Sequence, residues 1–250
     1  MNTINTCKIK ITPIPISEVM TYIHQHKGGT CIQITGVNME QISLIARDPN
    51  FSQYINQSDI VNIDGVIVYL YLKLRGFKHV NRTLCADLLY ACLSEANRNN
   101  DSVYFLGATQ NVVENVVQKI SDKYPNVRIV GYNNGYYTSE KEIIEHINSF
   151  SPTYLFLGMP SPMKERFIAQ NRSELKAKVC LGVGGMFDII AEKAKRAPLW
   201  IQKCGLEWLF RIYQNPIGHS RRLMRAIFPC MRIFLKYLFE KKTQVIDSIQ

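Results

Sequence analysis

The chain has 250 residues, 46% of them hydrophobic, with a formal net charge of +10. Such a length and apolar share suit one large α/β domain or two small lobes with a packed core, and they exclude a disordered chain. No stretch reaches the roughly 18 to 20 uncharged apolar residues of a spanning helix, and MNTINTCKIK lacks a signal peptide's apolar run, so a cytoplasmic protein is expected.

In chain order, short β-rich runs alternate with segments of helical length. Strands are predicted at CIQIT from 31, DIVNID from 59, SVYFLG from 102, VRIVG from 127, TYLFLG from 153 and KVCLGVGG from 178. Crossover helices are predicted over 83–99, 109–123 and 139–149. Several strands are apolar nearly throughout, as strands covered on both faces must be. The pattern predicts an α/β, Rossmann-like fold: a mostly parallel sheet flanked by helices.

The charge balance changes near Pro198, which sets the one predicted boundary between an α/β body over 1–197 and a helical appendage over 198–250. From Lys193 onward there are 12 Lys and Arg against 3 acids, a net +9, so the preceding residues are close to neutral. At about 100° per residue, Arg221, Arg222, Arg225, Arg232 and Lys236 fall on one side of a helix. Leu223, Met224, Ile227, Phe228, Met231, Phe234, Leu235 and Leu238 fall on the other. This is a basic amphipathic helix, which Pro229 is expected to kink or divide. Contact with an anionic membrane surface and packing on the body are both open readings.

The seven cysteines (7, 31, 85, 92, 180, 204 and 230) include no C-x-x-C pair and no nearby His cluster, so they read as reduced thiols rather than a zinc site or disulfide framework. No D-x-D pair is present to hold a divalent cation; neither metal nor cofactor is predicted.

Ligands of a parallel sheet bind beyond the carboxyl ends of its strands. The loops expected there are IDGV, LGAT, GYNNGYY, LGMPSPMKE and GVGGMFD. Their glycines let backbone amides approach a phosphate, which makes Gly65, Gly107 with Ala108, Gly135, Gly158, Gly184 and Gly185 candidates for substrate binding. Tyr136 is available to stack on a base or sugar, and Asp188 either orients a donor or caps a helix. GVGGMFD is not G-x-G-x-x-G, since Phe187 stands at the third glycine, which argues against a nicotinamide dinucleotide. Asp64 sits where an apolar strand becomes an apolar helix. It reads either as a general base facing the ligand crevice or as the N-cap of the helix beginning near Val66.

The segments DIVNIDG, YFLGAT, IVGYNNGYY, LFLGMPSPMKERFI, LGVGGMFDIIAEKAKRAPLW and GLEWLFRIYQNP followed by RR resemble, in one order from about residue 31 to 225, the WecG/TagA/CpsF glycosyltransferase family. The resemblance implies an inverting transfer from a UDP-sugar to a polyprenyl-diphosphate-linked sugar in cell-surface polysaccharide or teichoic-acid synthesis. The donor sugar would be N-acetylmannosamine, its uronic acid or a hexose. It makes Asp64 the catalytic base and brings Asn38, Gly65, Arg82, Asp87 and Glu165 with it as matching positions. It also implies that Arg196, Arg211, Arg221, Arg222 and Arg225 bind phosphate over the site, with Gly218 where a further basic residue is usual. Three segments depart from the pattern. Gly36 stands at a threonine, Leu84 and Cys85 at a Thr-Gly pair, and Met163 and Lys164 at a Lys-Gln pair, where Lys164 could still bind a hydroxyl or phosphate.

The partners expected are the UDP-sugar, the lipid-linked acceptor and an anionic membrane, with the enzyme peripheral on the inner face of the cell membrane. Nucleic acid is not expected, and monomer and homo-oligomer are both left open. The rival functions are a nicotinamide-dependent oxidoreductase and a basic nucleic-acid-binding protein, the second of which would explain the tail by phosphate contacts.

Overall fold

The computed structural model describes residues 2–26, 28–48, 50–238 and 243–246. Glu240, Lys241, Lys242 and Asp247 of the charged tail lie outside the described residues.

The chain opens with a hairpin of β1 (Asn2–Thr6) and β2 (Ile9–Ile11), followed by α1 (Ile16–Gln25). Cys7 and Lys8 form its two-residue turn, both in the left-handed region at φ 51° and 65°, as a turn matching the twist of two antiparallel strands requires. Next come β3 (Ile32–Val37), α2 (Met39–Arg47), α3 (Phe51–Asn56), β4 (Ile60–Ile63), α4 (Val66–Leu74) and α5 (Cys85–Asn99). The central run is β5 (Ser102–Gly107), α6 (Gln110–Lys123), β6 (Arg128–Asn133), α7 (Glu140–Phe150), β7 (Tyr154–Gly158), α8 (Met163–Asn171), β8 (Val179–Gly182) and α9 (Met186–Ile190). Three helices follow, α10 (Leu199–Lys203), α11 (Glu207–Gln214) and α12 (Pro216–Leu238), and then β9 (Thr243–Ile246).

Strands β3 to β8 form one six-stranded parallel sheet in the order β4-β3-β8-β7-β5-β6. The predicted α/β architecture and all six of its predicted strands are present. Because the sheet is covered on both sides, alternate residues of one strand enter different cores. Phe105 and Phe156 pack with α1, α5 and α6, while Tyr104, Leu106, Leu155 and Leu157 pack with α7 and α8. A third apolar cluster gathers Val37, Val61 and Ile63 with α2, α3, α4 and the hairpin. From β3 the chain steps outward to β4, crosses to β5, steps outward again to β6 and returns through β7 to β8, so the connections leaving β7 and β5 run in opposite directions. Open α/β sheets hold ligands beyond the carboxyl ends of their strands at such a reversal.

The C-terminal chain returns to this body. Strand β9 pairs antiparallel with β1, and α12 buries Ala226 and lays Cys230 and Ile233 into the third cluster. Phe234 stacks on Tyr71 of α4 with ring centroids 4.0 Å apart. The apolar side read from the sequence is therefore shared. Leu223, Ile227, Phe234 and Leu238 are half-buried, whereas Met224, Phe228, Met231 and Leu235 are exposed beside the cations. No described helix is long and apolar enough to cross a membrane.

Of the two effects expected of Pro229, division of α12 does not occur, since one helix runs from Pro216 to Leu238. Proline lacks the N–H that would bond the carbonyl four residues back, here Arg225. The buried hydroxyl of Ser43 on α2 donates to that carbonyl at 3.4 Å, so docking on α2 supplies the missing partner. This predicts a coupled pair. Ser43→Ala should lower stability by about 1 kcal/mol, a shift of about 2–4 °C in Tm for a chain of this size. The loss should shrink towards zero in a Pro229→Ala background, where the helix bonds its own carbonyl. Equal losses in both backgrounds, measured by thermal unfolding, would refute the compensation.

Candidate active site

All six parallel strands end at one edge, and the predicted loops collect there. Asp64 follows β4 directly. Its backbone N–H and that of Gly65 both donate to the Val37 carbonyl at the end of β3, at 3.0 and 3.1 Å, which fixes the joint. Gly65, not Asp64, is the N-cap of α4, and no side chain caps that helix. The Asp64 carboxylate instead spans two other helix starts. Oδ1 accepts from the Cys85 amide, the first of α5, at 2.9 Å, and Oδ2 accepts from Asn38 Nδ2 at 3.3 Å. Each oxygen keeps a lone pair for a further donor. The capping reading for α4 therefore fails, although the carboxylate does meet the positive end of a different helix.

Asn38 is held as firmly. It is the N-cap of α2, with its Oδ1 accepting from the Glu40 amide at 2.8 Å, and Gln41 Oε1 accepts from its backbone N–H at 3.1 Å to complete a capping box. The same Gln41 passes the network onward, its Nε2 donating to Ser161 Oγ at 2.8 Å and Glu165 Oε1 at 3.2 Å. Ser161 Oγ also donates to Glu165 at 2.7 Å, and the Lys164 ammonium bonds both Ser161 and Glu165. A continuous chain of hydrogen bonds thus runs from Asp64 to Lys164 across the ends of β4, β3 and β7.

Lys164 and Glu165 are both buried, so neither is the solvated charge that a surface lysine and glutamate usually are. The lysine stem crosses the end of β8, where a Cβ on Gly182 would lie 2.9 Å from its Cδ. Burial raises the Glu165 pKa, but the Lys164 charge and the hydrogen bonds from Lys164 and Ser161 outweigh it and leave the carboxyl below its usual range. Glu165 Oε2 remains buried without a partner.

Two departures from the family pattern prove to be neighbours. A Cβ built on Gly36 would stand 2.2 Å from Cys85 Sγ and 3.1 Å from Asp64 Cβ. The thiol therefore occupies the space that any side chain at 36 would need. Burial, and then the Asp64 charge, push the Cys85 thiol far above its ordinary range, so it stays protonated against the carboxylate.

Arg82 Nε donates to the Asp64 carbonyl at 3.1 Å, and its Nη2 pairs with Glu207 of α11 at 3.3 Å. Asp87 and Arg196 bond each other, with the guanidinium 5.5 Å from the Tyr90 ring centroid. They tie α5 to the segment before α10 rather than contacting Asp64. Gly107, Ala108, Gly135 and Gly158 form a backbone crossing in which the Ala108 amide donates to Gly158 O at 3.1 Å and the Gly135 amide to Ala108 O at 2.9 Å. Their closeness is packing between loops, and Tyr136 stands exposed on that rim. Asp188 lies in the first turn of α9 and pairs with Lys193 at 3.4 Å.

Of the tail cations, Arg211 comes nearest the glycine loop before α9, its Nη1 3.8 Å from a Cβ position on Gly185, next to Gly184. Burial and the charges of Arg222 and Arg211 lower the pKa of His219, which marks those three as one basic cluster. Arg222 Nε lies 3.9 Å from Glu40 in the first turn of α2, and Arg221 and Arg225 are exposed on the same helix. Gln41, Ser161 and His219 had no place in the sequence reading. For Gln41 the signal was present, because Asn-x-x-Gln is capping-box spacing.

The chain's likeness to known proteins agrees with this geometry. The family model described as Glycosyl transferase WecG/TagA/CpsF family matches residues 4–244. The N-acetylglucosaminyldiphosphoundecaprenol N-acetyl-beta-D-mannosaminyltransferase of Bacillus subtilis (strain 168) is 31% identical over 202 residues, covering 81% of this chain and 78% of its own. The protein of the same name from Bacillus spizizenii is 29% identical over 203 residues, with 81% and 78% covered. That of Staphylococcus aureus (strain NCTC 8325 / PS 47) is 27% identical over 217 residues, with 83% and 85% covered. With its motifs in family order and a match over nearly its full length, the chain belongs to the glycosyl transferase WecG/TagA/CpsF family.

Proposed function

We propose that this glycosyltransferase moves N-acetylmannosamine or a closely related sugar from a UDP donor to a polyprenyl-diphosphate-linked amino sugar, with inversion, at a membrane surface. The observation that carries the reading is the Asp64 carboxylate at the ligand edge of the sheet, held by Asn38 Nδ2 and the Cys85 amide with lone pairs to spare. A carboxylate so placed takes the proton of the acceptor hydroxyl as the hydroxyl oxygen bonds the anomeric carbon. The bond from that carbon to the UDP oxygen breaks, and its electron pair leaves with UDP. Arg211, beside Gly185, supplies positive charge for the departing diphosphate, with Arg222 in the same basic cluster. Asn38 and Gln41 are positioning residues that aim the base.

A polyprenyl acceptor stays in the bilayer, so the enzyme must reach it. The exposed half of α12 suits that task, with Met224, Phe228, Met231 and Leu235 lying among Arg225, Arg232 and Lys236. On this reading residues 198–250 close the active site with their first arginines and meet the membrane with the rest.

Two measurements test the proposal. Asp64→Asn should keep UDP binding by calorimetry but lower turnover with a panel of UDP-sugars by roughly 10²- to 10⁴-fold, the usual worth of a positioned base; wild-type turnover would remove Asp64 from the mechanism. Arg232→Gln with Lys236→Gln should weaken binding to anionic vesicles by about 2 kcal/mol at low salt, and by less as salt rises. Vesicle binding indifferent to salt and to both substitutions would show that α12 does not serve as the membrane contact.

A further inference from the structure

Helix α4 carries a feature that the transfer chemistry leaves unexplained. Its sequence, VIVYLYLKL, is apolar on every side, a composition expected of a helix buried all round. Only Val68, Tyr71 and Leu72 are buried. Ile67, Leu70 and Leu74 are 38%, 53% and 74% exposed, spaced three and four residues apart so that they form one stripe. The one charge on the helix, Lys73, is exposed beside it and donates its ammonium to the Lys78 carbonyl at 2.7 Å. A continuous exposed apolar stripe marks a contact.

Its position identifies the occupant. The helix starts two residues after Asp64 and rises about 1.5 Å per residue, so Ile67, Leu70 and Leu74 lie about 2, 6 and 12 Å along its axis from Val66. In the proposed acceptor the reacting hydroxyl sits at Asp64, followed by the rest of one sugar ring, then a diphosphate, then hydrocarbon. The apolar surface thus begins beside the base and continues to the distance at which hydrocarbon must appear. Through Tyr71 and Phe234 the inner side of α4 is stacked on α12, whose outer side is the proposed membrane contact. Helix α4 therefore links the base to that helix. We infer that the outer face of α4 is the track on which the first isoprene units of the acceptor lie, with Ile67, Leu70 and Leu74 as its contacts. This rests on the lipid-linked acceptor reading and adds where the lipid runs.

The test uses the full chain and its Leu70→Gln/Leu74→Gln variant, two exposed positions where glutamine keeps the helix. Two acceptors carry the same diphosphate-linked sugar, one on a long isoprenoid and one on a short soluble alkyl chain. The expected result is a KM for the isoprenoid acceptor raised roughly 10-fold to 100-fold, with kcat/KM for the short acceptor changed less than about 2-fold. An isoprenyl diphosphate bearing a terminal benzophenone should also photo-crosslink within residues 66–74 of the wild type, and less in the variant. Equal losses on both acceptors, unchanged KM for both, or crosslinks confined to other segments would overturn the inference. So would a variant whose defect is weaker binding to acceptor-free vesicles, or a shift from dimer to monomer in light scattering, since the stripe would then contact bilayer or a second copy. Transfer by the wild type to neither acceptor, with crosslinking on α4 intact, would instead sink the acceptor reading and leave the track standing.

Discussion

The arrangement of the site depends on the hold that two helix starts have on one carboxylate. Asp64 bonds the first amide of α5 through one oxygen and the N-cap side chain of α2 through the other, while its own amide is anchored to the end of β3. Each donor belongs to an element whose direction is set by the parallel sheet, so the carboxylate is aimed by packing rather than by a flexible loop. Preorganisation of this kind matters because a base acts only within hydrogen-bond reach of the proton it takes. The remaining polar network, Asn38 to Gln41 to Ser161, Glu165 and Lys164, extends that order to the far wall of the crevice.

The pocket departs from its family's pattern in a physically consistent way. Gly36 and Cys85 are separated by 49 positions yet occupy the same space, so an added side chain at one requires a smaller one at the other. Lys164 is buried only because Glu165 lies against it, since an unpaired ammonium would be too costly to desolvate. The exchange leaves the wall beside Asp64 with a neutral thiol and a compensated ion pair.

The tail shows how one amphipathic helix serves two surfaces. Its apolar arc is wide enough to fill the groove between α2 and α4 with Ala226, Cys230, Ile233 and Phe234 and still leave Met224, Phe228, Met231 and Leu235 outside. The proline in its middle is tolerated because Ser43 bonds the carbonyl it releases. Helix and body are thereby locked in register, which holds the arginine-bearing first turns above the start of α2 and hence above the site.

The layers of the fold follow from patterns along the chain. Apolar runs of strand length separated by helical segments can bury both faces only as a parallel sheet between helices, and that periodicity is local. The sequence also carried Asp64, Asn38 and the arginines, because residues at the ends of strands or on one helix face are visible as order and spacing. The N-terminal hairpin was not legible, because its turn places Cys7 and Lys8 where Asn-Gly is the usual signal. Only the tertiary structure decided which helix start Asp64 would meet, that Gly36 and Cys85 share one volume, and that Lys164 turns inward. It alone also divided the apolar arc of α12 into a packed and an exposed half. These outcomes depend on contacts between residues far apart in the chain, and a pattern read along one strand or helix holds no information about which neighbour will be packed against it.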